Sequence, residues 1–213
     1  MYCPAVTSGM PLFVYPEIPG HTLHVIQRGR LHAKCFFSAE DHSAYLGWLQ
    51  GYARHTDCAV HAYVLMGNHV HLLLTPSKKG GLAALMHLLG ERYARHVLET
   101  WQHEAELWEE GFDATPVYNN RYVLACMRYI ELNPVRARMA ARPEQFRWSS
   151  HRCNAFGEES ALLTPHSAYA VLGRGAVARQ EAYREMFKNV RPGGARRGLR
   201  ANDERKENFD FNG

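Results

Sequence analysis

The chain has no Cys-x-x-Cys pair. Its five cysteines, Cys3, Cys35, Cys58, Cys126 and Cys153, are odd in number and widely scattered. That excludes a disulfide framework and a thiolate zinc site, and it points to a reducing compartment. No apolar run reaches the roughly 18 residues needed to cross a bilayer. The first residues, "MYCPAVTSGMPLFVYPEIPGH", contain no basic segment followed by an apolar core, so no secretory leader is expected and a cytoplasmic location fits. There is no internal repeat.

Net charge is also small: +4 over 213 residues permits an anionic partner without demanding one. The cations are unevenly placed. Arg191, Arg196, Arg197, Arg200, Arg205 and Lys206 crowd "RPGGARRGLRANDERK", a Gly-rich tail expected to be disordered. Such a tail could follow a phosphate backbone or simply stay solvated. The chain as a whole, 46% hydrophobic and 22% charged, has the composition of a globular protein long enough to bury a core.

Periodicity predicts the elements. "HTLHVIQRGR" alternates at Leu23, Val25 and Gln27 and reads as a strand ending near Arg28-Gly29. "SAEDHSAYLGWLQGYARHT" is a helix capped by Ser38 or Asp41, with Tyr45, Leu46, Leu49 and Tyr52 at helical spacing. "CAVHAYVLM" and "HVHLLLTP" are strands joined through Gly67-Asn68. "GLAALMHLLGERYARHVLETW" is a long amphipathic helix, and "ELWEEGFDATPV" is a fourth strand or an irregular one. "NNRYVLACMRYIEL" is a further helix. The order β-α-β-β-α-β is the split βαβ pattern, an α+β, ferredoxin-like (RRM-like) antiparallel sheet with helices on one face, followed by an extra helix. Beyond residue 140 the pattern is irregular: "WSSHRCNAFGEES" reads as loop and "ARQEAYREMFKN" as a short helix.

Two histidines interrupt an apolar strand. Residues two apart share a face, so His69 and His71 project together while Val70 and Leu72 face the other way. Two adjacent imidazoles are half of a metal site. With 13 histidines in the chain, an accidental pair on the solvent face of a sheet explains them equally well. His24, in the first strand, reads as packing, with an approach to that pair left open.

Some 60 residues on, "RYIELNPVRARM" places Tyr129 and Asn133 four apart on one helix face, which extends back to Cys126 and Tyr122, while Glu131 points away. Val123, Met127 and Ile130 form the packing stripe. Pro134 should end or kink the helix. Alone, this is an ordinary helix terminus. Combined with the histidines, it offers two neutral imidazoles and an amide oxygen to a divalent cation. It also places a tyrosine roughly 6 Å along the axis from the third ligand, where it could attack a bound phosphate. Water as the nucleophile, with Tyr129 only packing, remains open on the residues alone.

The segments "HVIQRG", "HAYVLMGNHVHLLLTP", "LW", "LACMRYIELNPVRA" and "WSS", in that order from about Leu12 to Phe187, resemble the single-tyrosine HUH transposases, in particular the REP-associated tyrosine transposases of bacteria. The resemblance implies a nucleoid-associated enzyme that cuts and rejoins single-stranded DNA beside hairpin-forming palindromes through a 5′-phosphotyrosine intermediate. It assigns Tyr129 as nucleophile and His69, His71 and Asn133 as ligands of Mg²⁺ or Mn²⁺. It divides the chain into a transposase domain at 12–140, an extension at 141–190 packing on or beside it, and the basic tail at 191–213. Monomer and homodimer both stay open. Basic residues placed to contact DNA are Arg28, Arg30 and Lys34 after the first strand, Arg136 and Arg138 after the tyrosine helix, and Lys78-Lys79. Gly111 and Asp113 stand where the family carries basic residues, which should weaken backbone binding. A member that grips hairpin DNA without cutting it is the alternative.

Overall fold

Strand β1 (Thr22–Arg28) sends Leu23 and Val25 into one side of the sheet and His24 to the other, as alternation requires. In the computed structural model, which describes residues 18–102 and 106–188, it is a central strand of a four-stranded sheet. The expected basic tail at 191–213 and residues 12–17 lie outside the described residues. The sheet order is β2-β3-β1-β4, with β2 (Cys58–Leu65), β3 (His69–Pro76) and β4 (Asp113–Val117), and every pairing is antiparallel. This is the ferredoxin-like arrangement.

Helices α1 (Ala39–His55) and α2 (Gly81–Trp101) cover one face. Helix α1 opens with a capping box in which Ser38 and Asp41 satisfy each other's backbone N–H groups. Asp41 also accepts from Trp101 Nε1 at 3.2 Å and lies 2.9 Å from His96 Nε2, fastening the start of α1 to the end of α2. Tyr45 and Leu49 of α1 and Leu85, Leu89 and Tyr93 of α2 pack on Leu23, Val25, Val70, Leu72 and Leu74. Each such fully buried aliphatic chain contributes about 1.5–3 kcal/mol.

The opposite face carries the extra helix. Val123, Met127 and Ile130 of α3 (Asn120–Glu131) pack with Ala62, Val64 and Leu73 of the strands. Ala155, Ala168, Tyr169 and Tyr183 complete that core from α5 (His151–Phe156), α6 (Ser167–Ala170) and α7 (Ala176–Glu185). The segment read as loop, "WSSHRCNAFGEES", therefore contains helix α5. Its six residues are too few and too polar for local propensity to announce a helix, and side-chain bonds to α3 and β2 hold it. Among the described residues no helix is long and apolar enough to cross a membrane.

Candidate active site

The β2–β3 connection sets the first half of the site. Gly67 and Asn68 do not take the left-handed conformation of a tight two-residue hairpin. Instead Gly67 C=O receives Cys35 N–H at 2.8 Å, and Asn68 C=O receives Gly29 N–H at 2.8 Å. Gly29 is required here, since a Cβ would stand 2.3 Å from Ala33 O. The Asn68 side chain donates Nδ2–H to the His32 carbonyl at 3.2 Å, so its Oδ1 faces His69 Nδ1 at 2.7 Å. A carbonyl can only accept, so the amide orientation is fixed. His69 must then carry its proton on Nδ1 and leave Nε2 as a lone pair.

His69 and His71 do share a face, with ring centroids 4.9 Å apart. His71 is buried, and its Nδ1 lies 3.0 Å from Nε2 of His24, whose ring is nearly parallel to it (16°) with centroids 5.1 Å apart. His24 thus meets the pair rather than only packing within its strand. Burial, with the Arg28 charge adding to it, lowers His24 to about 4. Burial likewise lowers His69 to about 4, with Arg28 and His32 contributing. His71 falls well below 6.5, again by burial first and then by His24, His69 and Arg28. All three imidazoles are neutral near pH 7, the state in which a ring nitrogen can bind a metal.

Helix α3 supplies the second half. Asn119 caps it by accepting Tyr122 N–H, and the Val123-Met127-Ile130 stripe seats it on the sheet. Cys126 is buried in the core against which Tyr129 packs, and Tyr122 is 62% exposed. Tyr129 is half-buried and meets His71 and His24 edge-on, with centroids at 5.9 and 6.0 Å. The helix breaks at Leu132, as Pro134 requires, and resumes as α4 (Asn133–Arg136). Asn133 donates Nδ2–H to the carbonyls of Tyr129 (2.9 Å) and Ile130 (3.3 Å). Its Oδ1 is left as the atom available to a cation. Arg136, one turn on, lies over the Tyr129 ring, 4.6 Å from its centroid.

Glu131 does point away from Tyr129, but into the interior. It is wholly buried. Its Oε1 accepts from Ser150 Oγ (2.6 Å) and Asn154 Nδ2 (2.8 Å), while Oε2 accepts from Tyr183 Oη (2.9 Å) and lies 2.9 Å from His151 Nδ1. Four side chains of the C-terminal segment therefore hold α3 from behind. The "WSS" motif has a physical job here: Ser150 Oγ also accepts Tyr63 N–H at 3.0 Å. The available signal was spacing, because Glu131 is four residues after Met127 on the packing stripe.

The basic candidates divide. Arg28 stands opposite His69 in the strand register, yet its guanidinium is paired with Asp113. Arg30 is paired with Glu106, Lys78 bonds Asp57 at 2.8 Å, and Lys34 lies over Phe37, 5.6 Å from the ring centroid. Arg136 reaches Tyr129, while Arg138 is exposed at φ 58° in the turn after α4. Gly111 and Asp113 also acquire reasons. Gly111 has φ 76°, which a basic side chain would strain, and Asp113 neutralises Arg28. The "LW" motif fastens this loop: Arg30 N–H bonds Leu107 C=O at 2.9 Å, and Trp108 Nε1–H reaches Gly90 C=O at 3.3 Å.

Among the described residues, no group of three or more His, Cys, Asp and Glu side chains could hold a metal ion. The candidate donors are of another kind: His69 and His71 offer neutral imidazole nitrogens and Asn133 a carboxamide oxygen, uncharged groups of the type that suits a divalent cation shared with a phosphate oxygen. On donor chemistry the residues fit such an ion.

A family model described as "Transposase IS200 like" matches residues 18–133. No curated protein sequence matches the chain. Among solved structures, a REP-associated tyrosine transposase bound to a REP hairpin has 17% identity and a TM-score of 0.59, covering 75% of this chain and 96% of that one. That likeness is one of fold. Weaker ones are a candidate transposase from Deinococcus radiodurans (18% identity, TM-score 0.41, 55% of this chain and 93% of that one) and the tRNA(His) guanylyltransferase of Saccharomyces cerevisiae (11%, 0.38, 78% and 76%).

Proposed function

The chain belongs to the IS200-like transposase family, and from that premise we propose that it cleaves and rejoins single-stranded DNA beside a hairpin, with Tyr129 as the nucleophile. The carrying observation is the edge-on approach of the Tyr129 ring to His71, beside His69, at the meeting of α3 and β3. The structural relative bound to a REP hairpin supports the hairpin as the kind of DNA engaged.

In this reading His69 and His71, through Nε2, and Asn133, through Oδ1, hold Mg²⁺ or Mn²⁺. When bound, that ion supplies Lewis acidity to a phosphate oxygen of the scissile link. Tyr129 Oη attacks the phosphorus as its phenolic proton leaves. A tyrosine–phosphate ester forms while the bond to the 3′ oxygen breaks, and that oxygen takes up a proton as a free 3′-OH. The new ester replaces a phosphodiester bond of similar energy, so attack by a 3′-OH reverses the step and rejoins a strand without a nucleotide cofactor. Arg136, stacked on the Tyr129 ring, offers its guanidinium to the charge that develops on the phosphate oxygens. Asn68 keeps His69 in the tautomer that presents Nε2.

The test is cleavage of a labelled single-stranded hairpin oligonucleotide with Mg²⁺ or Mn²⁺, against EDTA and His69→Ala. Metal-dependent cutting that His69→Ala abolishes is expected. Tight hairpin binding without cutting, under any of these metals, would select the non-cutting alternative.

A further inference from the structure

We propose that His24 is a positioning residue for His71, accepting its Nδ1–H and so holding the His71 Nε2 lone pair free for the metal. The inference rests on the metal-binding reading of His69 and His71 given above. Its own observation is the buried contact between His24 Nε2 and His71 Nδ1, 3.0 Å apart on neighbouring strands.

One proton lies between these two nitrogens, and its position decides what His71 can do. If His71 donates from Nδ1, its Nε2 carries a lone pair and can ligate. If His24 donates from Nε2, the His71 proton sits on its own Nε2, and the ring can offer the metal nothing there. Ligation selects the first arrangement, with His24 as acceptor and its own proton on Nδ1. At this separation and orientation His24 Nε2 is committed to His71, so it is not itself a third imidazole ligand.

The parallel with His69 strengthens the assignment. Each histidine of the pair has its own acceptor at Nδ1: Asn68 Oδ1 for His69 at 2.7 Å, and His24 Nε2 for His71 at 3.0 Å. His24 is also held in place: its ring lies nearly parallel to that of His71, at 16°, as an in-plane bond requires, and Tyr129 meets it edge-on. An apolar side chain would fill this strand position at a lower desolvation cost. The imidazole is explained by the proton it receives.

Two measurements on the full-length protein decide it. Long-range proton–nitrogen spectra of the ¹⁵N-labelled wild type should show His71 as the Nδ1–H tautomer; a dominant Nε2–H tautomer overturns the proposal. Mn²⁺ affinity, read from the free-ion electron paramagnetic resonance signal without DNA, should fall about 10–100-fold in His24→Phe. His24→Gln, whose amide oxygen can accept the same proton, should recover much of that loss. If His71→Ala weakens Mn²⁺ binding but His24→Phe does not, the role of His24 is refuted alone. If His71→Ala binds Mn²⁺ like wild type, the metal reading fails and takes this proposal with it. Circular dichroism establishes that each variant is folded, and the tautomer measurement decides the matter even where a variant is not.

Discussion

The guanidinium carbon of Arg136 lies 4.6 Å from the centre of the Tyr129 ring, one helical turn beyond Asn133. This places a fixed positive charge beside the proposed nucleophile, where a planar fork can meet phosphate oxygens as well as the ring. Arg136→Ala should slow single-turnover cleavage at saturating DNA by about 100-fold, a loss typical of removing one preorganised transition-state donor. Arg136→Lys should restore little, because a lysine neither stacks nor bonds in a bidentate way. An unchanged rate in Arg136→Ala would confine this residue to packing.

Asp113 holds Arg28 in an ion pair across β1 and β4. Asp113→Asn frees that guanidinium beside His69. Binding to single-stranded DNA should tighten, and the slope of log affinity against log salt should steepen by about 0.7, the value for one additional phosphate contact. Fluorescence anisotropy across a salt series checks both. Identical slopes would show that Arg28 stays off the backbone in either state.

Glu131 is a buried carboxylate on which four side chains converge. Glu131→Ala strands those partners in the interior and should cost about 3 kcal/mol. In a chain of this size the corresponding fall in Tm is roughly 10 °C. Glu131→Gln, which keeps one acceptor oxygen, should fall less. Thermal melts by circular dichroism test this, and a near-wild-type Tm for Glu131→Ala would contradict it.

His61 is bonded to Thr164 C=O at 2.7 Å and Thr75 Oγ1 at 2.9 Å. Burial lowers it to about 4, with His166 adding a little and the Thr164 carbonyl opposing. An unfolded histidine titrates near 6.5. Between those values the unfolded chain binds a proton that the folded chain refuses, so stability rises with pH. The contribution is complete above about 6.5 and is lost as pH falls towards about 4. Urea midpoints should therefore drop from pH 7 to pH 5, and His61→Gln should drop less steeply. A flat profile would contradict the assignment.

Sequence periodicity went far with the fold, because both sheet and helices bury amphipathic faces. Leu23 and Val25, Val70 and Leu72, and the stripe Val123-Met127-Ile130 all pack as their spacing implies. The histidine pair and the Tyr129–Asn133 face were also visible, since two-residue and four-residue spacings translate directly into shared surfaces. What was not visible arises between elements. That Asp113 takes Arg28 is decided by strand pairing, and that His24 meets His71 is decided by the β1–β3 register. Helical spacing turns Glu131 away from Tyr129, and it takes α5 and α7 to make that side the core. Helix α5 is likewise ordered by tertiary bonds rather than by the propensity of its own residues.

In the proposed mechanism Tyr129 becomes covalently joined to DNA. The direct measurement is intact-protein mass spectrometry after incubation with Mg²⁺ or Mn²⁺ and a single-stranded hairpin oligonucleotide, for wild type and Tyr129→Phe. The wild type should gain the mass of the 3′-side DNA fragment, with the linkage mapping to Tyr129, and Tyr129→Phe should gain nothing. An adduct of the same mass in Tyr129→Phe, or cleavage by that variant at the wild-type rate, would contradict it.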